Sequence, residues 1–401
     1  MDRGRLVLVA AAAIGAAAAF YAVLIAPSQA FGLGIDFRIF ATAAAAISRG
    51  GNPYSVSGFV NPPAWALILE PLTKVPLWAG YAIYTLIAAA AAGLAIRNFA
   101  HALGWRHGWL LALGVLTSWV GLSGMIWGQL DALLLAVLLG SMLLAWRGRL
   151  MGAGLLLGLF WLKPDVLWPA VLLMGAALWP HRQALMRYLL GLAITTAVVL
   201  GAGFRLLPAW LHALVGFSGG VGAQPDLAGV AAWIDALPRA WHLGSGLSSP
   251  VTGLIALAAL AALGWLSLRV AAAPRWSSLT PERRILWAVA LGMGIWLLAT
   301  PYSHPNDDLM LLPLLVAAVG ADACHARHAR VASAVLAMAV LPFSWNLHVL
   351  PIALTPVAAA LLLWAGLRAF AAENAEAPGR TGVADPLGGC QRAIPEPTST
   401  A

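Results

Sequence analysis

The sequence predicts an all-α polytopic membrane protein with about a dozen transmembrane helices. Three observations carry that reading. Of 401 residues, 61% are apolar and 9% charged, and mean hydropathy is +0.85, whereas a soluble domain carries roughly a quarter charged residues. The apolar runs are long, rich in Ala and Leu and without alternation, which excludes a transmembrane barrel. The basic residues fall one-sidedly between those runs, as orientation signals do.

Polar and Pro/Gly-rich breaks set candidate helices at 6–26, 77–97, 109–122, 128–146, 150–162, 165–179, 187–206, 247–269, 285–300, 308–321, 331–343 and 349–369. The first follows Arg3 and Arg5 and is close to a full span in length, so it reads as a retained helix rather than a cleaved signal. Several runs are short, as expected of helices that stop inside a cavity. Residues 63–73 would cover only about half a bilayer at ~1.5 Å per residue. They read as a helix along the outer surface, after a short helix near 36–49. With the N-terminus inside, twelve spans return the C-terminus inside. Of the 23 Lys and Arg, 17 then lie on the inner side, leaving Arg38, Arg49, Lys74, Lys163, Arg205 and Arg239 outside. That is a strong positive-inside bias. Residues 1–371 form one membrane domain, and 372–401, rich in Ala, Pro, Gly and Thr, predict a disordered inner tail.

The net charge of +8 comes without any basic cluster interleaved with aromatics, so nucleic acid is not an expected partner. Cys324 and Cys390 support neither a disulfide framework nor a metal site by count. Nineteen Trp beside six Tyr suit interfacial and cavity-lining rings. Soluble-type nucleotide and hydrolase motifs do not occur.

Ionisable groups near membrane depth are costly, so their placement points to function. The outer side collects Asp36, Arg38, Asn61, Glu70, Gln129, Asp131, Lys163, Asp165, Asp226, Asp235, His304, Asn306, Asp307, Asp308 and His348, and the chemistry is expected there. Asp36, in Gly34-Ile35-Asp36-Phe37-Arg38, is either a general base for an attacking hydroxyl or a helix N-cap. Gly50-Gly51-Asn52-Pro53-Tyr54 and Asn61-Pro62-Pro63 make a rigid turn, either a plain surface loop or a substrate-binding one. Gln129 and Asp131 suit sugar hydroxyls or a cation, or else mark a helix N-terminus satisfied by its own Asp. Lys163, beside Pro164 and Asp165, suits a phosphate or an internal pair with Asp165. His304, before Asp307 and Asp308, suits a divalent metal, titration near neutral pH or a phosphate.

Taken in order, these residues form a pattern. It runs from Asp36 through Arg49-Gly50-Gly51-Asn52-Pro53-Tyr54, Phe59-Val60-Asn61-Pro62-Pro63 and Glu70-Pro71-Leu72-Thr73-Lys74-Val75-Pro76. Gly128-Gln129-Leu130-Asp131, a Gly-rich span after Arg147-Gly148-Arg149, and Leu162-Lys163-Pro164 complete it. The pattern resembles the polyprenyl-phosphate-dependent mannosyltransferases of glycosyltransferase family 87, with their multi-span GT-C architecture, over about residues 30–320. The resemblance implies a polyprenyl-phosphate sugar donor, a lipid or glycan acceptor and Asp36 as base. It implies Lys163, His304 and Arg38 at the donor phosphate, and Tyr54, Asn61, Gln129 and Asp131 at the substrates. No metal or other cofactor is expected. The implied setting is the plasma (inner) membrane, with both termini cytoplasmic and the site on the outer face.

Three rival readings exist. A transporter or lipid flippase would show inverted repeats and polar groups near mid-membrane. A ligase using a lipid-diphosphate donor would favour paired arginines on the outer side, and a scaffold would not need so many outer carboxylates.

Overall fold

The computed structural model describes residues 34–218, 248–273, 276, 278–300, 304–321 and 360–371. The expected spans at 6–26 and 331–343, the tail, and Asp226, Asp235, Arg239 and His348 lie outside the described residues. Among the described residues the structure is helical throughout, without a strand.

The chain opens with α1 (Ile35–Ser48), a single 3₁₀ turn at Pro53–Ser55, α2 (Pro63–Leu69) and a 3₁₀ turn at Glu70–Lys74. There follow α3 (Leu77–Ala102), α4 (Gly108–Leu116), α5 (Trp119–Trp127), α6 (Asp131–Trp146), α7 (Leu150–Leu157) with its 3₁₀ extension Gly158–Leu162, α8 (Pro164–Leu178) and α9 (Arg182–Ala202). After α10 (Leu207–Ser218) come α11 (Ser248–Ala272), α12 (Pro281–Ala299), a 3₁₀ segment at Pro305–Leu311, α13 (Leu312–Ala321) and α14 (Ala360–Ala371).

Helix length sorts the bundle into a shell and a centre. Among the described residues, α3, α9 and most of α11 are long and apolar enough to cross a membrane. They turn Leu86, Leu190, Val198, Leu257 and Leu268 outward, as a lipid-facing surface should. The central helices α6, α8 and α12 are buried along most of their length. At 16 residues, α6 measures about 24 Å, short of a hydrocarbon core of roughly 30 Å. Close packing of α7 on α9 depends on two glycines. A Cβ on Gly154 would run into the Tyr188 carbonyl, and one on Gly191 into that of Met151. Small residues let helix backbones approach where lipid removes the hydrophobic drive.

Two expectations change. The run at 109–122 is not one helix: it breaks at Thr117, and α4 and α5 meet at 58°. The cause is Ser118, whose hydroxyl accepts from the Gly121 N–H and so starts a new helix. The 63–73 segment divides: α2 packs inward on one face, while its 3₁₀ continuation Glu70–Lys74 has no buried residue. Pro63, Ala64, Trp65, Ala66 and Leu69 are all buried, with the Trp65 ring set edge-on to Phe40 and Tyr84.

Candidate active site

Of the polar residues singled out in the sequence, Asp36, Gln129, Asp131, Lys163 and Asp307 meet at one end of the central helices. Gly128, with φ +78°, ends α5 in the left-handed conformation, which glycine adopts without penalty. The turn delivers Gln129, whose side-chain amide donates to Asp36 Oδ2 at 2.8 Å. Tyr84 fixes the other side of the turn, its hydroxyl donating to the Gln129 carbonyl at 2.6 Å. Tyr81, one turn earlier, donates to the carbonyls of Met125 and Ile126. The Phe37 ring packs at 5.4 Å from Tyr84 and 5.8 Å from Tyr81, seating α1 against them.

Asp36 is therefore not the cap of its helix. The capping position is Gly34, which has no side chain, and the Asp36 carboxylate reaches across to Gln129 instead. Burial raises the Asp36 pKa above the usual carboxylate value. The Gln129 hydrogen bond and the charges of His304 and Lys163 pull it back, while Asp131 pushes it further up.

Beside it lies a buried ionic trio. Lys163 Nζ sits 3.1 Å from Asp131 Oδ1 and 2.5 Å from Asp307 Oδ1. Both carboxylates are fully shielded from solvent, and the lysine side chain is 11% exposed. The second oxygen of Asp307 accepts from the His304 backbone N–H at 2.8 Å. Burial raises the Asp307 pKa, the Lys163 charge pulls it back, and the neighbouring Asp131 pushes it further up. Burial opposes the charge on Lys163, but Asp131, Asp307 and Asp165 more than offset it and raise its pKa. Lys163 occupies the place between two carboxylates that a cation would take. Among the described residues no group of three metal-ligating side chains forms.

Lys163 is thus paired, though not with Asp165 as the local spacing suggested. The Asp165 backbone carbonyl instead accepts from the Trp296 indole. Asp131 is the first residue of α6 rather than its cap, and its carboxylate goes to Lys163. Asn61 and Tyr54 support the same turn. The Asn61 amide donates to the Leu162 carbonyl at 3.2 Å, directly before Lys163, and the Tyr54 hydroxyl donates to the Asn61 carbonyl at 3.1 Å. Arg38 stands apart. It lies two residues beyond Asp36, so about 200° around the helix. It is exposed and makes no ion pair among the described residues.

Sequence reasoning missed Tyr81 and Tyr84, although two tyrosines one turn apart at the head of a span mark hydroxyls held near a membrane boundary. It also missed the partnership of Asp307 with Lys163, 144 residues away.

No individual curated protein matches the chain. The sequence profile described as glycosyltransferase family 87 matches residues 59–301. That stretch is more than half of the chain and contains Tyr84, Gln129, Asp131 and Lys163; Asp307 lies shortly after it, and Asp36 lies before it, outside the match. A helical membrane bundle whose polar residues gather at one end, matched over this length, belongs to glycosyltransferase family 87.

Proposed function

We propose that this membrane glycosyltransferase moves a hexose, mannose by the family resemblance, from a polyprenyl-phosphate donor to a lipid or glycan acceptor at the outer face. One observation carries the reading: a half-buried carboxylate, Asp36, is held by Gln129 beside the Lys163–Asp131–Asp307 trio and His304. The acceptor oxygen forms its bond to the sugar C1 as the bond from C1 to the phosphate oxygen breaks. Asp36 takes the hydroxyl proton, and the polyprenyl phosphate leaves with the bonding pair. Polyprenyl phosphate is a good leaving group, so the reaction needs a base and charge stabilisation, not the second acid of glycoside hydrolases.

Lys163 has three N–H donors, and two are taken by Asp131 and Asp307. The third serves the donor phosphate, with His304 beside it. Gln129 fixes the base, and Tyr54 and Asn61 hold the turn that presents Lys163. Arg38, exposed on the far side of α1, is left out of the phosphate set.

The test is sugar transfer in membranes supplied with defined polyprenyl-phosphate sugars. Asp36→Asn keeps the shape and is expected to insert and fold normally, with turnover lower by about 10²–10⁴-fold. Near wild-type transfer by that variant would move the base elsewhere, and transfer from nucleotide sugars alone would remove the lipid donor.

A further inference from the structure

Four exposed tryptophans each carry an arginine over the ring face. Arg269 lies 5.3 Å above Trp265 and Arg368 5.5 Å above Trp364, each pair one helical turn apart. Side chains on a helix tilt toward its N-terminus, so an arginine at i+4 leans back over the ring at i. Arg182 lies over Trp179 at 5.1 Å across the α8–α9 junction, and Arg97 of α3 over Trp109 of α4 at 5.2 Å. The rings are 44–59% exposed, far more than a core tryptophan such as Trp287.

All four pairs lie at the end of the bundle opposite the carboxylates. Helix α3 begins beside Gln129 and runs away from it, reaching Arg97 near its other end. Helix α8 begins right after Lys163, and Trp179 follows its last turn. Helix α12 runs toward His304, so its start at Pro281 is at the far end, and α11 with Arg269 finishes a short connection before it. The ring of Phe370 in α14 packs 4.6 Å from Trp276, on that connection, which brings Arg368 to the same level.

From this we infer that the far end is a docking surface for anionic phospholipid headgroups, with the Arg–Trp pairs as its contact points. Charge complementarity selects the occupant. Ten arginines lie at this end, and Glu282 is the one carboxylate there among the described residues. The guanidiniums of Arg182, Arg269 and Arg368 have no hydrogen-bonded or ionic partner within the described protein. A guanidinium held over an indole still has N–H donors to offer, and these match a phosphate bidentately. The exposed indole beneath it has the amphipathic character that settles at headgroup depth. Each basic residue near an anionic membrane surface strengthens binding about fivefold. The inference does not depend on the sugar donor or on the role of Asp36.

The test uses the full-length protein in nanodiscs of phosphatidylcholine with or without phosphatidylglycerol. The wild type is expected to retain phosphatidylglycerol several-fold over phosphatidylcholine when its bound lipids are counted by native mass spectrometry. It should also melt higher in the phosphatidylglycerol discs. The combined Arg97→Gln, Arg182→Gln, Arg269→Gln and Arg368→Gln variant should lose both differences while melting as the wild type does in pure phosphatidylcholine. Undiminished phosphatidylglycerol retention in that variant overturns the inference. So does an equal loss of stability in both kinds of disc, since the pairs would then serve only the protein itself.

Discussion

Asp36 and Lys163 show what one residue contributes here and what its surroundings add. A carboxylate that must accept a proton works only when ionised, and burial raises the pKa of this one. Turnover should therefore rise with pH along an acid limb set above the ordinary aspartate value of about 3.9. An Asp36→Asn variant should show residual turnover without that limb, measured as kcat/KM against pH. Lys163 carries a different liability. Replacing it with Met leaves Asp131 and Asp307 buried without their cation, and breaking a buried pair costs about 3–5 kcal/mol. Thermal melting in detergent should show that loss, and adding Asp307→Asn should recover part of it by removing one stranded charge. A donor KM that stays at the wild-type value in the double variant would confine Lys163 to holding the trio. Both residues stand out in the sequence as charged groups beside apolar runs. Their partners do not, because Asp36–Gln129 and Lys163–Asp307 close over 93 and 144 residues, and no local pattern encodes such a pairing.

At the level of elements, the turn between α5 and α6 decides where the site forms. Gly128 sits at φ +78°, and a Cβ there would lie 2.6 Å from the Phe37 Cβ. Gly128→Ala then imposes left-handed strain of about 1–2 kcal/mol and displaces α1. The expected result is a lower melting temperature and a larger loss of turnover, because Asp36 moves away from Gln129. Equal turnover would mean that α1 tolerates the shift. The helices were readable wherever an apolar run ended at a strong break, as α3, α9 and α11 show. The break inside 109–122 depended on a single serine hydroxyl, and the burial of α2 depended on tertiary packing around Trp65. Neither leaves a periodic trace, which is why the sequence showed no sign of the break or of the buried face of α2.

For the molecule as a whole, the separation of charge by end is the feature that sequence and structure share. Arginines crowd one end of the bundle, and the carboxylates Asp36, Asp131 and Asp307 occupy the other. If the basic end faces the cytoplasm, as the positive-inside bias requires, cysteines placed at the two ends should differ in reach. With Cys324 and Cys390 replaced, Ser57→Cys should react with an impermeant maleimide in intact cells. His107→Cys, also exposed, should react only after permeabilisation. The reverse pattern would invert the orientation and put the site on the inner face.

The trio also has a consequence for biosynthesis. Asp131 and Lys163 leave the ribosome close together and can neutralise each other as their helices enter the bilayer. Asp307 emerges 144 residues after Lys163, and until then Lys163 has only one of its two buried partners. The carboxylate end therefore stays unfinished until Asp307 arrives, with a polar seam open between α6 and α8. Chains stalled or truncated before Asp307 would expose that seam to lipid and quality-control proteases, and the arrival of Asp307 is what closes it.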